Sequence, residues 1–337
     1  MTAARSPLRI VYMGTPDFAV PALEKLIASS DHVVGVVTNP DRPRGRGKKL
    51  TPPPVKVAAE RAGIEVYQPA KLRGPEVLEK LRAWSPDVIV VAAYGQILRT
   101  DVLLLPRYGC INIHASLLPG YRGAAPINWA IVNGEAEAGV TIMQMEKGLD
   151  TGPMLLKRKT PIEPLDTAQD LTERLADMGA DLIVDVMRLI HLDSLNPIPQ
   201  DDSLSSYAPM LKKSDGQIDF RKSAREVADL IRGMNPWPGT YAFLDNEGES
   251  EPERIKFHLA HAHDALANGS TLEVTPGTVI RADQDRLWIA CGRGHIECLT
   301  LQAPGKRALP TADFLNGYAL SAGQRFLLPA APDAPTA

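Results

Sequence analysis

The chain has 337 residues, 44% hydrophobic and 23% charged, with 37 Lys and Arg against 40 Asp and Glu for a formal net charge of −3. These globular averages exclude a disordered chain, and the length suits two domains. Near-neutrality also excludes nucleic-acid binding by the surface as a whole, so any polyanion site must be a local basic patch.

Met1 to Leu8 lacks a hydrophobic signal segment, and the longest strongly apolar stretch, Val88 to Ala93, is too short to span a bilayer. The expectation is a cytoplasmic chain with no membrane association. From Leu8 a short apolar run, Leu8–Met13, is followed by Val20, Leu23, Leu26 and Ile27 at helical spacing and by a second run, His32–Val37. With Asp87–Ala92 these predict a doubly wound α/β domain, because continuous apolar strands suit a mostly parallel sheet covered on both faces. Gly14 supplies the first turn and Asp17 is the candidate cap of the first helix. Gly14-Thr15-Pro16-Asp17-Phe18 departs from G-x-G-x-x-G, which argues against a nicotinamide enzyme.

Between Asp41 and Lys56 six basic side chains face the single Asp41, a local net charge of +5. Such a run most often marks a solvated face, yet arginines alternating with glycines also suit a mobile arm that follows phosphates. Further on, Asn112 and His114 stand two apart on a predicted strand and so share one face. Ser116-Leu117-Leu118-Pro119-Gly120 then turns the chain off the strand, placing the pair near the carboxyl edge where open α/β sheets bind ligands. Asp150 sits in a turn between Gly148 and Gly152. Singly, each residue also fits a structural role: a core histidine, a strand end and an Asx turn. Together, with no nucleophilic Ser or Cys motif nearby, they point to acid/base and oxyanion chemistry in which Asp150 orients the imidazole.

The three cysteines, Cys110, Cys291 and Cys298, have no C-x-x-C spacing, against both a disulfide framework and a zinc ribbon. Asp166–Leu192 reads as a long amphipathic helix, and the polar stretch 193–206 as a linker. Beyond it, a helix over Ala224–Arg232 precedes short strands at Arg254–His258, Gly277–Ile280, Arg286–Ala290 and His295–Leu299, the pattern of a small β-barrel over 207–327. The tail, 328–337, reads as frayed. From Tyr207 onward 14 Lys and Arg meet 16 Asp and Glu, so an RNA surface there needs clustering, with Lys212, Lys213, Arg221, Lys222, Arg225, Lys306 and Arg307 as candidates. His258, His261 and His263 are the one histidine cluster, and no metal site is expected.

Asn112–Pro119, Arg122–Ile127, Gly139–Met145 and Gly148–Gly152 resemble the 10-formyltetrahydrofolate-dependent formyltransferases. Asn39–Leu50, Asn235–Gly239 and Leu301–Arg307 are similar to members of that family that act on an aminoacyl-tRNA, and the resemblance runs from about Leu8 to Gly317. It implies a Rossmann-like catalytic domain over 1–192 and an OB-like tRNA-binding domain over 207–327. The implied reaction passes the formyl group of 10-formyltetrahydrofolate to the amino group of methionyl-initiator tRNA, without metal, in a monomer. Asn112 and His114 would donate to the oxygen of the tetrahedral intermediate, His114 would help move the proton, and Asp150 would set its tautomer and favour its charged form.

By the same resemblance Ser116, Leu117, Leu118 and Pro119 form one wall of the folate crevice, and Tyr94, Gly95, Gln96, Ile97 and Leu98 another. Arg42, Arg44, Arg46, Lys48 and Lys49 would meet the acceptor end of the tRNA, with Lys212, Lys213, Lys306 and Arg307 contributing from the carboxyl-terminal domain. Arg46, between Gly45 and Gly47, is the candidate for telling initiator from elongator tRNA. The rivals are a formyl-folate enzyme for a small amine and a noncatalytic nucleic-acid-binding protein. The basic loop and second domain argue against the first, and the intact Asn112, His114 and Asp150 against the second.

Overall fold

The computed structural model describes residues 6–44, 49–246, 251–264 and 274–330. It divides into two compact units: Met1–Pro126, Glu137–Thr160 and Thr172–Ala208 form the first, and Ile127–Ala136, Pro161–Leu171 and Pro209–Ala337 the second. Up to residue 208 the elements are β1 (Arg9–Gly14), α1 (Val20–Ile27), β2 (His32–Val37), β3 (Arg42–Arg44), β4 (Lys49–Thr51), α2 (Pro54–Arg61), β5 (Val66–Tyr67), α3 (Pro75–Trp84), β6 (Val88–Ala92), α4 (Thr100–Leu103) and β7 (Cys110–His114). These are followed by β8 (Arg122–Gly123), α5 (Pro126–Val132), β9 (Glu137–Gln144), β10 (Met154–Pro161), α6 (Ala168–His191) and β11 (Tyr207–Ala208).

The main sheet runs β10-β9-β7-β6-β1-β2-β5. From β5 to β7 neighbouring strands are parallel, and β9 is antiparallel to β7. The chain steps from β1 to β2 and β5 on one side, then returns to β6 on the other, so the strand order reverses between β1 and β6. At such a reversal the carboxyl ends of the strands part and leave a crevice. Every residue of β6 is buried, as the sequence pattern required of a doubly covered strand. Val11, Met13, Ile89 and Val91 pack with Leu81 and Trp84 of α3 and with Val102 and Leu103 of α4. Against β7, α6 presents Gly179, where a Cβ would fall 2.6 Å from Ile113 Cγ2. Only a glycine lets this helix rest so closely on the strand that carries Asn112 and His114.

Expected strands and the long helix recur with ends shifted by a few residues. Asp17 is not a helix cap: it lies in a short 3-10 turn, Asp17–Ala19, and α1 starts at Val20 with a proline in its first turn and no side-chain cap. Proline likewise begins α2 and α3, two helices absent from the sequence reading, because the first helical residues need no N–H partner. The basic segment is paired on either side of residues 45–48, which lie outside the described residues. Its flanks form an antiparallel hairpin pairing Arg42 with Thr51, Pro43 with Leu50 and Arg44 with Lys49.

The second unit holds α7 (Ala224–Gly233), β12 (Thr240–Leu244), β13 (Glu253–His263), β14 (Val279–Asp283), β15 (Arg286–Ala290), β16 (His295–Gln302), β17 (Leu309–Pro310), α8 (Thr311–Gly317) and β18 (Phe326–Leu327). The sheet runs β14-β15-β16-β13-β12-β18, with β17 paired to β16. It curls until its ends meet: Phe326 N donates to Gly277 O and Val279 N to Gln324 O, both at 2.8 Å. This is a small barrel. Its core holds Phe220, Phe257 and Phe326, whose ring centroids lie 5.5 to 6.1 Å apart.

Two features of the division differ from the expected boundaries. Residues 198–208 are built into the first unit, through an antiparallel bridge between Ile198 and Met154 and parallel pairing of β11 with β8. Conversely, 127–136 and 161–171 belong with the second unit, and a buried ion pair explains why. Arg232 lies 2.8 Å from Asp229, both almost fully buried, and its Nη1 donates to the carbonyls of Glu163 and Asp166 at 3.2 Å. Asn128 Nδ2 donates to Gly233 O at 2.8 Å.

Removing Arg232 leaves the buried Asp229 carboxylate with only the more exposed Arg225 as a partner and strips the donor from the Glu163 and Asp166 carbonyls. Arg232→Met is expected to destabilise the second unit by about 3–5 kcal/mol, with the Asp229→Leu/Arg232→Met pair recovering most of the loss. Urea unfolding checks this, and a single variant within ~1 kcal/mol of wild type contradicts it.

Candidate active site

Asn112 and His114 project from one face at the carboxyl end of β7, in register with Met143 and Thr141 of β9. The turn after β7 is tightly bonded. Ser116 Oγ donates to Gly120 O at 2.6 Å, while Thr141 Oγ1 donates to Ser116 O at 2.7 Å and accepts from Leu118 N at 3.1 Å. It brings Tyr121 back to His114, which is buried, and whose Nε2 lies 3.0 Å from Tyr121 O. A carbonyl only accepts, so Nε2 carries a hydrogen and Nδ1 is the atom that gains or loses one. Nδ1 faces Asp150 Oδ2 across 3.7 Å, beyond direct hydrogen-bond length but within ion-pair distance of a protonated imidazole.

Asp150 sits in the left-handed region with φ 53°, which aspartate tolerates better than most side chains. Its Oδ2 accepts from Gly123 N at 2.9 Å. Gly123 itself has φ 120°, and a Cβ there would fall 2.6 Å from Ala208 O. The main chain beside Asp150 is held by Gln200, whose Nε2 donates to the carbonyls of Asp150 and Gly152 at 2.8 and 2.7 Å. Gln200 Oε1 accepts from Arg122 Nε and Nη2 at 3.1 and 2.8 Å. The side chain of Asn112 is half-buried and makes no hydrogen bond among the described residues, so its N–H groups are free to meet an oxygen.

A second network ties together the strand ends around the β1/β6 reversal. Asn39 Nδ2 donates to Thr15 Oγ1 at 2.9 Å and to Tyr94 O at 2.7 Å, and its Oδ1 accepts from Gln96 Nε2 at 2.9 Å. Gln96 Oε1 accepts from Leu72 N at 2.7 Å. Gln68 Nε2 bonds both Asn39 O and Asp41 Oδ1 at 2.8 Å, and Lys56 Nζ reaches Asp41 at 3.0 Å. The Gln68 amide and the Lys56 ammonium hold the Asp41 carboxyl below its usual range. Lys56 is therefore neutralised locally, which removes it from the basic run.

The residues expected along the crevice divide into two sets. Leu118, Leu98 and Tyr94 are buried, the last two in the core under α3 and α4, so they face the crevice through backbone rather than side chain. Tyr94 Oη is buried without a hydrogen-bond partner, and burial raises its pKa. Ser116 is locked in its turn, Leu117 and Pro119 are half-buried, Gly95 has φ 81°, and Ile97 is 90% exposed.

Of the expected RNA contacts, Arg42, Lys49, Lys212, Lys213, Lys306 and Arg307 are exposed and make no ion pair among the described residues. The Arg44 side chain, Arg46 and Lys48 lie outside the described residues. Arg221 pairs with Asp219 at 2.8 Å and Arg225 with Asp229 at 2.9 Å, so both are committed within the unit. In the histidine cluster His258 meets Gln302 and His263 meets Glu297, each at 3.0 Å, while the His263 ring stacks on His295. The cysteines are unbridged and buried, and burial pushes the Cys110 and Cys291 thiols up to about 12.

Sequence reasoning missed Asn39, Thr15 and Gln200 as site residues. The first two were hidden in loops after strands, and Gln200 in a polar stretch that reads as a linker.

Residues 8–187 match the family described as Formyl transferase, and residues 210–319 match Formyl transferase, C-terminal domain. The chain belongs to the formyltransferase family. Among its relatives, the methionyl-tRNA formyltransferase of Geotalea uraniireducens is 50% identical over 94% of this chain and 97% of its own. That of Marinobacter nauticus is 48% identical over 96% and 98%. Among solved structures, the sugar 3N-formyl transferase WlaRD matches with a TM-score of 0.63 at 20% identity, covering 89% of this chain and 99% of its own. HypX from Aquifex aeolicus, solved with tetrahydrofolic acid, gives a TM-score of 0.59 at 16% identity, covering 92% and 47%. These last two share the family's fold.

The Asn39 network yields a structural test. Asn39→Ala strips a partner from Thr15, Tyr94 O and Gln96 at once, with an expected stability loss of about 1–3 kcal/mol. Hydrogen exchange should rise at the Leu72 amide, whose acceptor Gln96 loses its anchor. Unchanged exchange there would show that the network does not hold the crevice loops.

Proposed function

We infer that the protein transfers the formyl group of 10-formyltetrahydrofolate to the amino group of methionyl-initiator tRNA, giving formylmethionyl-tRNA for translation initiation. The observation that carries this is the constellation of Asn112, His114 and Asp150 at the carboxyl edge, in a chain half identical to methionyl-tRNA formyltransferases over nearly its whole length.

The residues at the crevice suit a formyl-folate. An unpartnered Asn112 amide and the exposed backbone at Gly95 provide the donors and the open main chain that a pterin edge requires. When bound, 10-formyltetrahydrofolate supplies the activated formyl carbon. The amine must attack it uncharged. Asn112 then donates to the oxygen on which negative charge develops. His114 takes the proton shed by the amine at Nδ1, the ring nitrogen without one, and returns it toward the leaving nitrogen. Asp150, facing that atom, stabilises the imidazolium that exists between the two transfers. The turns after β6 and β7 wall the folate crevice, with Tyr94, Gly95, Gln96, Ile97 and Leu98 on one side and Ser116, Leu117, Leu118 and Pro119 on the other.

The division of labour follows the two units, with catalysis in the first and further RNA contacts from Lys212, Lys213, Lys306 and Arg307 in the second. Arg42, Arg44, Arg46, Lys48 and Lys49 of the basic segment meet the acceptor end, Arg46 acting in initiator recognition. The enzyme works as a monomer in the cytosol, where buried unbridged cysteines persist. No described helix is long and apolar enough to cross a membrane.

The deciding experiment is formyl transfer from labelled formyl-folate to methionyl-initiator tRNA compared with glycinamide ribonucleotide. Equal use of both contradicts the tRNA reading. Asn112→Ala, His114→Ala and Asp150→Asn should each lower kcat roughly a hundredfold or more with folding intact. Near-normal single-turnover rates for the His114 and Asp150 variants would remove them from proton transfer. Arg42→Ala with Lys49→Ala should raise KM for tRNA, leave KM for folate unchanged and flatten the salt dependence of tRNA binding by up to about two charges. A changed folate KM with an unchanged salt slope would exclude the hairpin from RNA binding.

A further inference from the structure

Where the chain leaves the first unit it passes beside the candidate site, bonding the main chain of Asp150 directly and reaching His114 only through Tyr121. Ser206 Oγ accepts from Tyr121 N, and Ser206 O from Arg122 N, both at 2.8 Å. Tyr121 is the residue whose carbonyl takes the His114 Nε2 hydrogen. Six residues earlier, Gln200 spans the carbonyls of Asp150 and Gly152 and is itself gripped by two nitrogens of Arg122. Arg122 also reaches Asp202 at 2.7 Å.

We propose that Gln200 is a positioning residue for formyl transfer, fixing the main chain of Asp150 so that its carboxylate faces His114 Nδ1. The role rests on the function inferred above. Asp150 occupies a left-handed backbone conformation, and among the described residues one N–H, that of Gly123, bonds its carboxylate, at Oδ2. One hydrogen bond to a carboxylate leaves the peptide planes on either side free to turn. Two bonds from one amide group to carbonyls two residues apart do not, because both acceptors must keep their direction together. The Arg122 grip prevents the Gln200 amide from rotating to exchange its oxygen and nitrogen. Glutamate cannot replace it, since a carboxylate would set its oxygens against two carbonyl oxygens. Gln200 acts through Asp150, so its loss should slow the chemical step and leave substrate binding alone.

The test is steady-state and single-turnover kinetics of full-length Gln200→Met and Gln200→Glu, alone and combined with Asp150→Asn, using methionyl-initiator tRNA and 10-formyltetrahydrofolate. Both single variants are expected to lose roughly tenfold to a hundredfold in kcat, the scale of a small misplacement of a reacting group. KM for either substrate should change less than about twofold. In the Asp150→Asn background, Gln200→Met should cost less than about a further twofold, because the group it positions is already gone. A wild-type kcat in both variants overturns the proposal, as does a rise in KM alone or a full repeat of the loss in the Asp150→Asn background. If wild-type protein formylates no methionyl-tRNA, the functional reading falls and the positioning role with it. Failure with an active wild type refutes the positioning role only. Gln200→Glu keeps the Arg122 contact, and so preserves the test if the methionine variant folds poorly.

Discussion

Asp150 must present a carboxylate to a buried histidine from a turn that lies far away in sequence and has a backbone conformation side chains rarely adopt. The surroundings of the site answer that requirement. Gly123 brings a bare N–H to the carboxylate, Gln200 fixes the carbonyls of the turn, and Tyr121 supplies a carbonyl that assigns the hydrogen on the other side of the imidazole. These partners come from two other stretches of chain, the loop after β7 and the segment around Gln200, so the proposed catalytic pair is a product of tertiary structure. The left-handed turn is stable because its neighbours over-determine it.

The sheet provides the frame for this arrangement. Its strand order reverses between β1 and β6, and the loops leaving β1, β2 and β6 are knotted through the carboxamide of Asn39. The same loop continues through Asp41, clamped by Gln68 and Lys56, into the basic hairpin. One short segment thus anchors both the crevice and the base of the proposed RNA-binding element. Among the described residues of this segment, Asp41 and Lys56 are paired with each other, and Arg42 and Lys49 are exposed without an ion pair, as the proposed contact with phosphates requires.

In the second unit, stability and charge are handled differently. Three phenylalanines fill a small closed barrel, and a buried Arg232–Asp229 pair draws in backbone from residues 161–171. Several basic residues that look available in the sequence are consumed by neighbouring carboxylates, as Arg221 and Arg225 illustrate. An RNA-binding face cannot be read from counts of Lys and Arg, because local pairing decides which charges remain free.

Alternating and continuous apolar runs made β1, β2, β6, the long α6 and the barrel strands legible from the sequence, since burial on a sheet face or helix stripe imposes a short-range periodicity. Asn112 and His114 were legible for the same reason: two residues apart on a strand, they must share a face. The motif strings carried the family and, through it, the role proposed for Asp150. Tertiary structure alone decided the rest. Proline-initiated helices carried no distinctive sequence signal, and the cap expected at Asp17 gave way to a 3-10 turn. The partners of Asp150 and the membership of residues 127–136 and 161–171 in the second unit depend on hydrogen bonds across long sequence separations. Gln200 shows the limit most clearly. Periodicity reports only on neighbours within a turn or two of chain, and the value of this glutamine lies in four atoms forty-eight to seventy-eight residues away.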